Sequence, residues 1–395
     1  MRVLALGGAG SYGNVACSIL ASNDLVSEIV IGGRNLEAAQ RGAKNVGRKA
    51  RAVSVDVTDR DRVVALARDC DIVMNTTGPE HETFLKVLDA TIAAGTNYCD
   101  AGADGPTTET ALELDSTARA KGVTALVGMG ACPGVATLAM VHAARQLDSV
   151  ETVSSCAVFP AAALGITKDL VEGYRKAGRA PAWVPTLMRW VTPPFRVYRD
   201  GVLVYVKNRA DELKATMPGA GEIPAVLTGS PEPITIPRCV RGIQNVYTLV
   251  SWFPFQLNGR YRELGERVAR GELDWSQAAL DFFDMIVAEQ DRGLPAPAGF
   301  PRDGMRWFEA IGTKQGIRKR YICWPTPSWY GWHTNPTSTA LALASLKILG
   351  GEIRTRGVLT PGSCLEPLRF FKEVASQMTR TDEPGRLLNE AWQTL

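Results

Sequence analysis

The chain has 395 residues, 45% of them hydrophobic and 22% charged, with a formal net charge of +3. That is ordinary globular usage, long enough for two domains with sizeable cores, and the absence of a long basic block argues against a nucleic-acid partner. No apolar run has the length needed to span a bilayer, and the N-terminus lacks the charged, apolar and small-residue series of a signal peptide, so neither membrane nor export is expected.

The first predicted strand is the apolar run Val3-Leu4-Ala5-Leu6. It breaks into Gly7-Gly8-Ala9-Gly10-Ser11-Tyr12-Gly13 and then into a helical pattern carrying Val15, Ile19 and Leu20. Gly8, Gly10 and Gly13 satisfy the G-x-G-x-x-G fingerprint in its proper strand–turn–helix setting. The first glycine permits the tight turn, the second lets backbone approach a diphosphate, and the third lets helix and strand pack closely. The amides of Ser11, Tyr12 and Gly13 then sit at the positive end of a helix dipole, where phosphate is stabilised.

A second strand ending in a turn is expected over Glu28–Asn35, a helix over Leu36–Val46, a third strand over Ala52–Val57 and a helix N-cap at Thr58-Asp59. Helix Arg60–Ala67 leads to a fourth strand, Cys70-Asp71-Ile72-Val73-Met74-Asn75-Thr76-Thr77, broken by Gly78-Pro79. Helix Glu82–Ala94, strand Thr96–Asp100, helix Thr107–Lys121 and strand Val123–Gly128 complete a strict alternation. Short connections between such elements predict a doubly wound Rossmann sheet, parallel, with helices on both faces.

From Gly130 the pattern changes. Met129-Gly130-Ala131-Cys132-Pro133-Gly134 is a sharp turn before an apolar helix, Val135–Arg145. Strands are expected over Val150–Phe159, Val202–Val206 and Ile234–Ile236, an irregular lid-like stretch over Gly178–Pro194, and helices over Trp275–Glu289 and Thr337–Leu349. Gly357–Leu395 reads as ending in helix. The expected architecture is α/β throughout. A Rossmann domain over 1–130 is followed by a second α/β domain with a mixed sheet over 131–349, which carries substrate and dimer contacts. The segment at about 350–395 is expected to pack back on the first domain.

The eight cysteines are scattered singly, no C-x-x-C pair occurs, and there are three histidines. This predicts reduced thiols in the cytoplasm and no metal site.

Cofactor choice is read at the end of the second strand. An acidic residue there would hold the ribose 2′-hydroxyl of NAD, but the chain places Gly32, Gly33 and Arg34 at that point, followed by Asn35. A guanidinium and a carboxamide suit a 2′-phosphate, so NADP(H) is expected. Later strand ends should also approach the dinucleotide, because ligands collect at the carboxyl ends of the strands. Asp56 and Val57 are expected near the adenine, with a helix cap as the alternative for Asp56. Thr76, Thr77, Gly78 and Pro79 are expected beside the ribose and diphosphate, and Tyr98 and Asp100 on the nicotinamide side.

At this point the chain resembles the saccharopine dehydrogenase-like oxidoreductases. The resemblance rests on V-L-A-L-G-G-A-G-S-Y-G at 3–13, G-G-R-N at 32–35, D-V-T-D at 56–59, N-T-T-G-P at 75–79, Y-C-D-A-G at 98–102 and G-M-G-A-C-P-G-V at 128–135. It covers the first 145 residues well and the rest weakly, with T-R-G-V-L-T-P-G at 355–362 similar to the family's closing segment. The resemblance implies a second α/β domain, a dimer built through that domain's sheet, and NADPH-dependent reduction of a carbon–nitrogen double bond. Divergent members include enoyl reductases of lipid and polyketide pathways. Members acting on amino-acid imines commonly carry Asp before the Pro-Gly of the last-but-one motif, and this chain carries Cys132. A thiol does not pair with an ammonium group, so the departure argues against an amino-acid substrate. As a nucleophile Cys132 would gain from the helix start behind it, whereas a small buried hydrophobe is the commoner role of a free cysteine.

Hydride transfer needs a proton source, for which Tyr98, Tyr174, Tyr330, His333 and Lys168 are the candidates. His333 lies in the aromatic run Trp329-Tyr330-Gly331-Trp332-His333, which suits either a substrate wall or a core, while His81 and His142 read as structural. The tryptophan-rich second half favours a bulky or cyclic small-molecule substrate, and Arg238, Arg241, Arg318, Lys319 and Arg320 keep a dicarboxylate open. The expectation is an NADPH-dependent imine reductase. The alternatives are an enoyl or carbonyl reductase and a non-catalytic NADP-binding sensor.

Overall fold

Val3, Leu4, Ala5 and Leu6 are completely shielded from solvent, and each buried Val or Leu contributes about 1.5–3 kcal/mol. The strand they form, β1 (Arg2–Leu6), lies inside a seven-stranded sheet of the computed structural model. The structure describes all residues except 179, 182, 296–299, 327–335 and 380–386. After β1 come α1 (Ser11–Ala21), β2 (Glu28–Gly33), α2 (Leu36–Val46), β3 (Ala50–Ser54), α3 (Arg60–Arg68) and β4 (Ile72–Asn75). Then follow α4 (Glu80–Ala94), β5 (Asn97–Asp100), α5 (Gly105–Glu113), α6 (Asp115–Ala120), β6 (Thr124–Leu126) and α7 (Val135–Ala144). The strand order is β3-β2-β1-β4-β5-β6 with Gly357–Leu359 outside β6, and all these pairings are parallel. The expected doubly wound sheet is therefore present. Its order reverses at the β1–β4 boundary, and the carboxyl ends of those two strands flank the crevice such sheets use for ligands.

The chain divides into two compact units, Met1–Leu138 with His333–Pro384, and Ala139–Trp332 with Gly385–Leu395. The second unit holds a mixed sheet. Seven of its nine strands run in the order Glu212–Met217, Gly221–Leu227, Asn245–Phe253, Ser149–Pro160, Met305–Lys314, Ile317–Pro325 and Leu388–Thr394, and the hairpin of Phe195–Arg199 and Val202–Val206 joins through Asn245–Phe253. Asn245–Phe253 and Ser149–Pro160 pair in parallel and the other pairs are antiparallel. The chain after 349 thus serves both units, adding Gly357–Leu359 to the first sheet and Leu388–Thr394 to the second.

Four elements differ from expectation. Ile234–Ile236 belongs to a short helix, Glu232–Thr235, and a 3-10 turn, because Pro233 and Pro237 fix φ and remove ladder donors on either side of the β-branched residues. The C-terminal segment ends in a strand, where pairing with Ile317–Pro325 overrides a helix-prone composition. Helix Thr107–Lys121 is two helices, broken where the Asp115 carboxylate turns to accept from the Val358 amide at 2.9 Å. The stretch read as irregular contains the helix Val184–Arg189.

All eight cysteines are free thiols. Among the described residues no cluster of His, Cys, Asp and Glu is arranged to hold a metal, and no helix is long and apolar enough to cross a membrane.

One carboxylate joins two loops at the carboxyl end of the first sheet. Glu80, the first residue of α4, accepts a hydrogen bond from the Ala103 amide at 2.6 Å, tying the loop after β4 to the loop after β5. Burial pushes the Glu80 carboxyl up from 4.5 to about 8; the Ala103 amide opposes this, and Asp104 and Asp100 add to it. The folded protein therefore holds a proton that the unfolded chain releases, and stability from this group falls as pH rises through that interval. Glu80→Gln keeps an acceptor for the amide and removes the titration. In urea unfolding the variant should gain on the wild type progressively as pH rises from about 5 to about 8; a difference that stays constant across the window would show that Glu80 does not titrate there.

Candidate functional site

The glycine turn is built by close backbone approach. Gly7 has φ +77°, and a Cβ added to it would stand 2.6 Å from the Thr76 carbonyl carbon and oxygen. A Cβ on Gly13 would meet the Gly7 oxygen at 2.5 Å and Thr76 Oγ1 at 2.6 Å, and one on Gly8 would meet Ala5 Cβ at 2.9 Å. Gly10 is different. A Cβ there would meet only the Gly7 oxygen, at 3.2 Å, and Gly10 begins α1 with no side chain capping the helix. The fingerprint thus divides into glycines that pack and one that leaves room in front of the uncapped amides of Ser11, Tyr12 and Gly13. That is the geometry a diphosphate requires. Asn14 Nδ2 donates to the Gly42 oxygen at 3.0 Å and fixes the turn to α2.

At the end of β2, Gly32 is demanded by packing, since its Cβ would lie 2.8 Å from Leu6 Cδ2, whereas Gly33 has nothing within 4 Å. Arg34 is exposed. Asn35, expected as a second phosphate donor, is the N-cap of α2, its Oδ1 accepting from the Ala38 amide at 2.9 Å. Asp56 closes a turn instead of capping a helix, and it is Asp59 that caps α3. The Thr58 amide and hydroxyl, both 2.9 Å from Asp56 Oδ1, hold its carboxyl below the usual range, with Arg34 and Lys86 as lesser causes. Val57 is buried, which leaves its backbone as the part available to a ligand. Open space at Gly33, an exposed guanidinium and no carboxylate at the strand end fit a 2′-phosphate.

Beyond β4, Thr76 Oγ1 bonds the Leu6 oxygen at 3.3 Å. Asn75, fully buried, orders the start of this loop: its Oδ1 accepts from the Thr77 amide at 3.1 Å and the Thr77 hydroxyl at 2.7 Å. The Gly78-Pro79 peptide then leads directly into α4.

Two of the expected residues on the next strand are enclosed. Tyr98 is completely buried, its hydroxyl accepting from Asn75 Nδ2 at 2.9 Å, and burial followed by the nearby Asp100 pushes the phenol well above its ordinary value. It braces Asn75 and has no open side from which to protonate a substrate. Asp100 is also buried. Its Oδ1 accepts from the Gly102 amide at 2.9 Å and the Gly128 amide at 2.7 Å, so it fastens the loops after β5 and β6 together.

Cys132 is half-buried in the turn before α7. The turn is closed by Gly130 N to Pro133 O at 3.1 Å and Val135 N to Gly130 O at 2.9 Å, and Gly134 has φ +108°. His333, Trp329, Tyr330 and Trp332 lie outside the described residues. In the second unit, Lys168 is exposed and Tyr174 half-buried on the helix Lys168–Lys176, and His142 is buried with Nε2 3.2 Å from the Tyr321 hydroxyl. Arg318 pairs with Glu151 at 2.9 Å and Arg320 with Glu309 at 3.3 Å, so these basic residues answer carboxylates of their own sheet. The residues that sequence reasoning missed are Asn14, Asn75 and Glu80. The last two flank the Thr-Thr-Gly-Pro motif and are visible there as the polar residues on either side of it.

Comparison with known proteins agrees with this geometry. Residues 3–126 match the family model described as the saccharopine dehydrogenase NADP binding domain. Apo saccharopine dehydrogenase (L-Glu forming) from Saccharomyces cerevisiae is similar over 100% of both chains, at 17% identity and a TM-score of 0.63, which establishes a shared fold. Serine dehydrogenase from Escherichia coli covers 32% of this chain and 81% of its own, at 13% identity and a TM-score of 0.27. A short chain dehydrogenase/reductase family protein covers 32% and 73%, at 20% identity and a TM-score of 0.26. The N-terminal domain of this chain belongs to the saccharopine dehydrogenase-type NADP-binding domains of oxidoreductases, and its cofactor is NADP(H).

Proposed function

We propose that the protein is an NADPH-dependent reductase that delivers hydride to the carbon–nitrogen double bond of a small, bulky or cyclic metabolite. The observation that carries the reading is the end of β2, where open space at Gly33 and the exposed Arg34 stand in place of an acidic ribose ligand. Ser11, Tyr12 and Gly13 would hold the diphosphate through their amides, Arg34 the 2′-phosphate, and the Thr76–Pro79 loop the nicotinamide half. When bound, NADPH supplies the hydride. The nitrogen also needs a proton. With Tyr98 buried, His333 or water is the proposed source, and Cys132 lines the substrate side as an uncharged wall. Single cysteines without a paired metal motif support a cytoplasmic setting, and the resemblance to the family supports a homodimer.

Two measurements test this. Tryptophan quenching should give tighter binding of NADPH than of NADH. Arg34→Ala should weaken NADPH by about 10- to 100-fold, the usual cost of losing a charged hydrogen bond, and leave NADH unchanged. Equal affinities in the wild type would sink the Arg34 argument. NADPH oxidation should then be followed with cyclic imines, enoyl thioesters and keto acids. Turnover is expected with the imines and should survive Cys132→Ser, because a thiol that only walls the pocket is replaceable. Abolished turnover in that variant would make Cys132 a nucleophile, and tight binding with no oxidation of any substrate would favour the sensor.

A further inference from the structure

The helix Pro336–Leu349 is buried over most of its length, including Ser338, Ser345 and the apolar residues Ala340, Leu341, Ala342, Ala344, Ile348 and Leu349. A helix so enclosed is core, and it packs against α1. Its two buried serines are used differently. Ser345 Oγ donates back to Leu341 O of its own helix at 2.8 Å, whereas Ser338 Oγ donates outward to the Tyr12 oxygen at 2.7 Å. Tyr12 lies in the first turn of α1, the turn whose amides point at the proposed diphosphate position. Next to Ser338, Thr337 Oγ1 accepts from the Ala131 amide at 3.3 Å. The start of this helix therefore touches both the cofactor turn and the turn that carries Cys132.

We propose that Ser338 is a positioning residue for dinucleotide binding, holding the first turn of α1 in its ligand-ready form from 326 residues away in sequence. A carbonyl oxygen has two acceptor sites, so this bond adds to the helix's own bonding and does not compete with it. The first turn of a helix frays most readily, and here no side chain caps it. An outside donor on Tyr12 reduces that fraying before ligand arrives, which lowers the ordering cost of binding. Ser345 is the internal comparison: a buried hydroxyl of the same helix with a hydrogen bond of similar length to Leu341 O and a contact with the Cys99 thiol, but no link to the cofactor turn. The proposal rests on NADP(H) binding at the glycine turn and concerns what keeps that turn ready.

The test compares Ser338→Ala with Ser345→Ala in the full-length protein. Each removes one buried hydroxyl, so both variants should lower the ligand-free melting temperature by similar small amounts. Only Ser338→Ala should weaken NADPH binding, by roughly 3- to 10-fold, and speed amide hydrogen exchange at Gly13 to Ala16 in the ligand-free protein. Equal NADPH affinities and exchange rates in the two variants overturn the proposal. Absence of NADPH binding by the wild type would instead overturn the cofactor reading on which it rests, so the two failures are distinct.

Discussion

The cofactor half of this protein depends on one contact, the approach of the glycine turn to the end of β4. Gly7 and Gly13 both lie where any side chain would run into Thr76, within 2.6 Å of its carbonyl group in one case and of its hydroxyl in the other. Bare glycine backbone against Thr76 is the packing there, and it sets the separation between β1 and the loop after β4. Thr76 Oγ1 then reaches the Leu6 oxygen, and Asn75 beneath it orders Thr77 and meets Tyr98. The site is thus made by subtraction. Side chains are absent where two chains must touch, and helix amides are left uncapped where a phosphate must arrive.

A second constraint governs the loops after β4, β5 and β6. Their carboxylates are answered by backbone amides: Asp100 by Gly102 and Gly128, Glu80 by Ala103, and Asp104 by Thr107 at 3.1 Å. The Met129 amide adds a bond of 2.7 Å to the Asp100 backbone carbonyl oxygen. Amides are fixed in the chain, so carboxylates satisfied this way hold loop shape without spending a cation. Three loops become one hydrogen-bonded assembly, and the acidic look of this region in sequence is absorbed by architecture.

How much of this was legible in sequence follows from what each signal encodes. Alternating strand and helix patterns encode layer order, and the doubly wound sheet followed from them. The fingerprint encodes the turn but begins one residue late, because Gly7, with its positive φ and its closeness to Thr76, falls outside the motif. Tyr98 and Asp100 sit at a strand end, the position from which the nicotinamide side is expected to be reached. Strand ends indicate proximity, but the face on which a side chain lies has a period of two residues and is set by what covers the sheet. Tyr98 and Asp100 share a face, and both are buried. Ser338 carries no local signal at all, since its partner is brought to it only by the folded chain.

The same distinction bears on the substrate. A carboxylate ahead of Pro133 would give an ammonium group a partner, and Cys132 offers none. Asp100, which holds the Gly128 amide ahead of that turn, is already bonded to two amides and is 4% exposed. Recruiting it to bind an ammonium would break the bond to Gly128 and loosen the turn that holds Cys132. A buried carboxylate stripped of its amides also carries a desolvation cost that one exposed ammonium does not offset. The loop chemistry of this domain therefore commits Asp100 to its two amides and leaves it no capacity to answer a charged amine at the turn that carries Cys132.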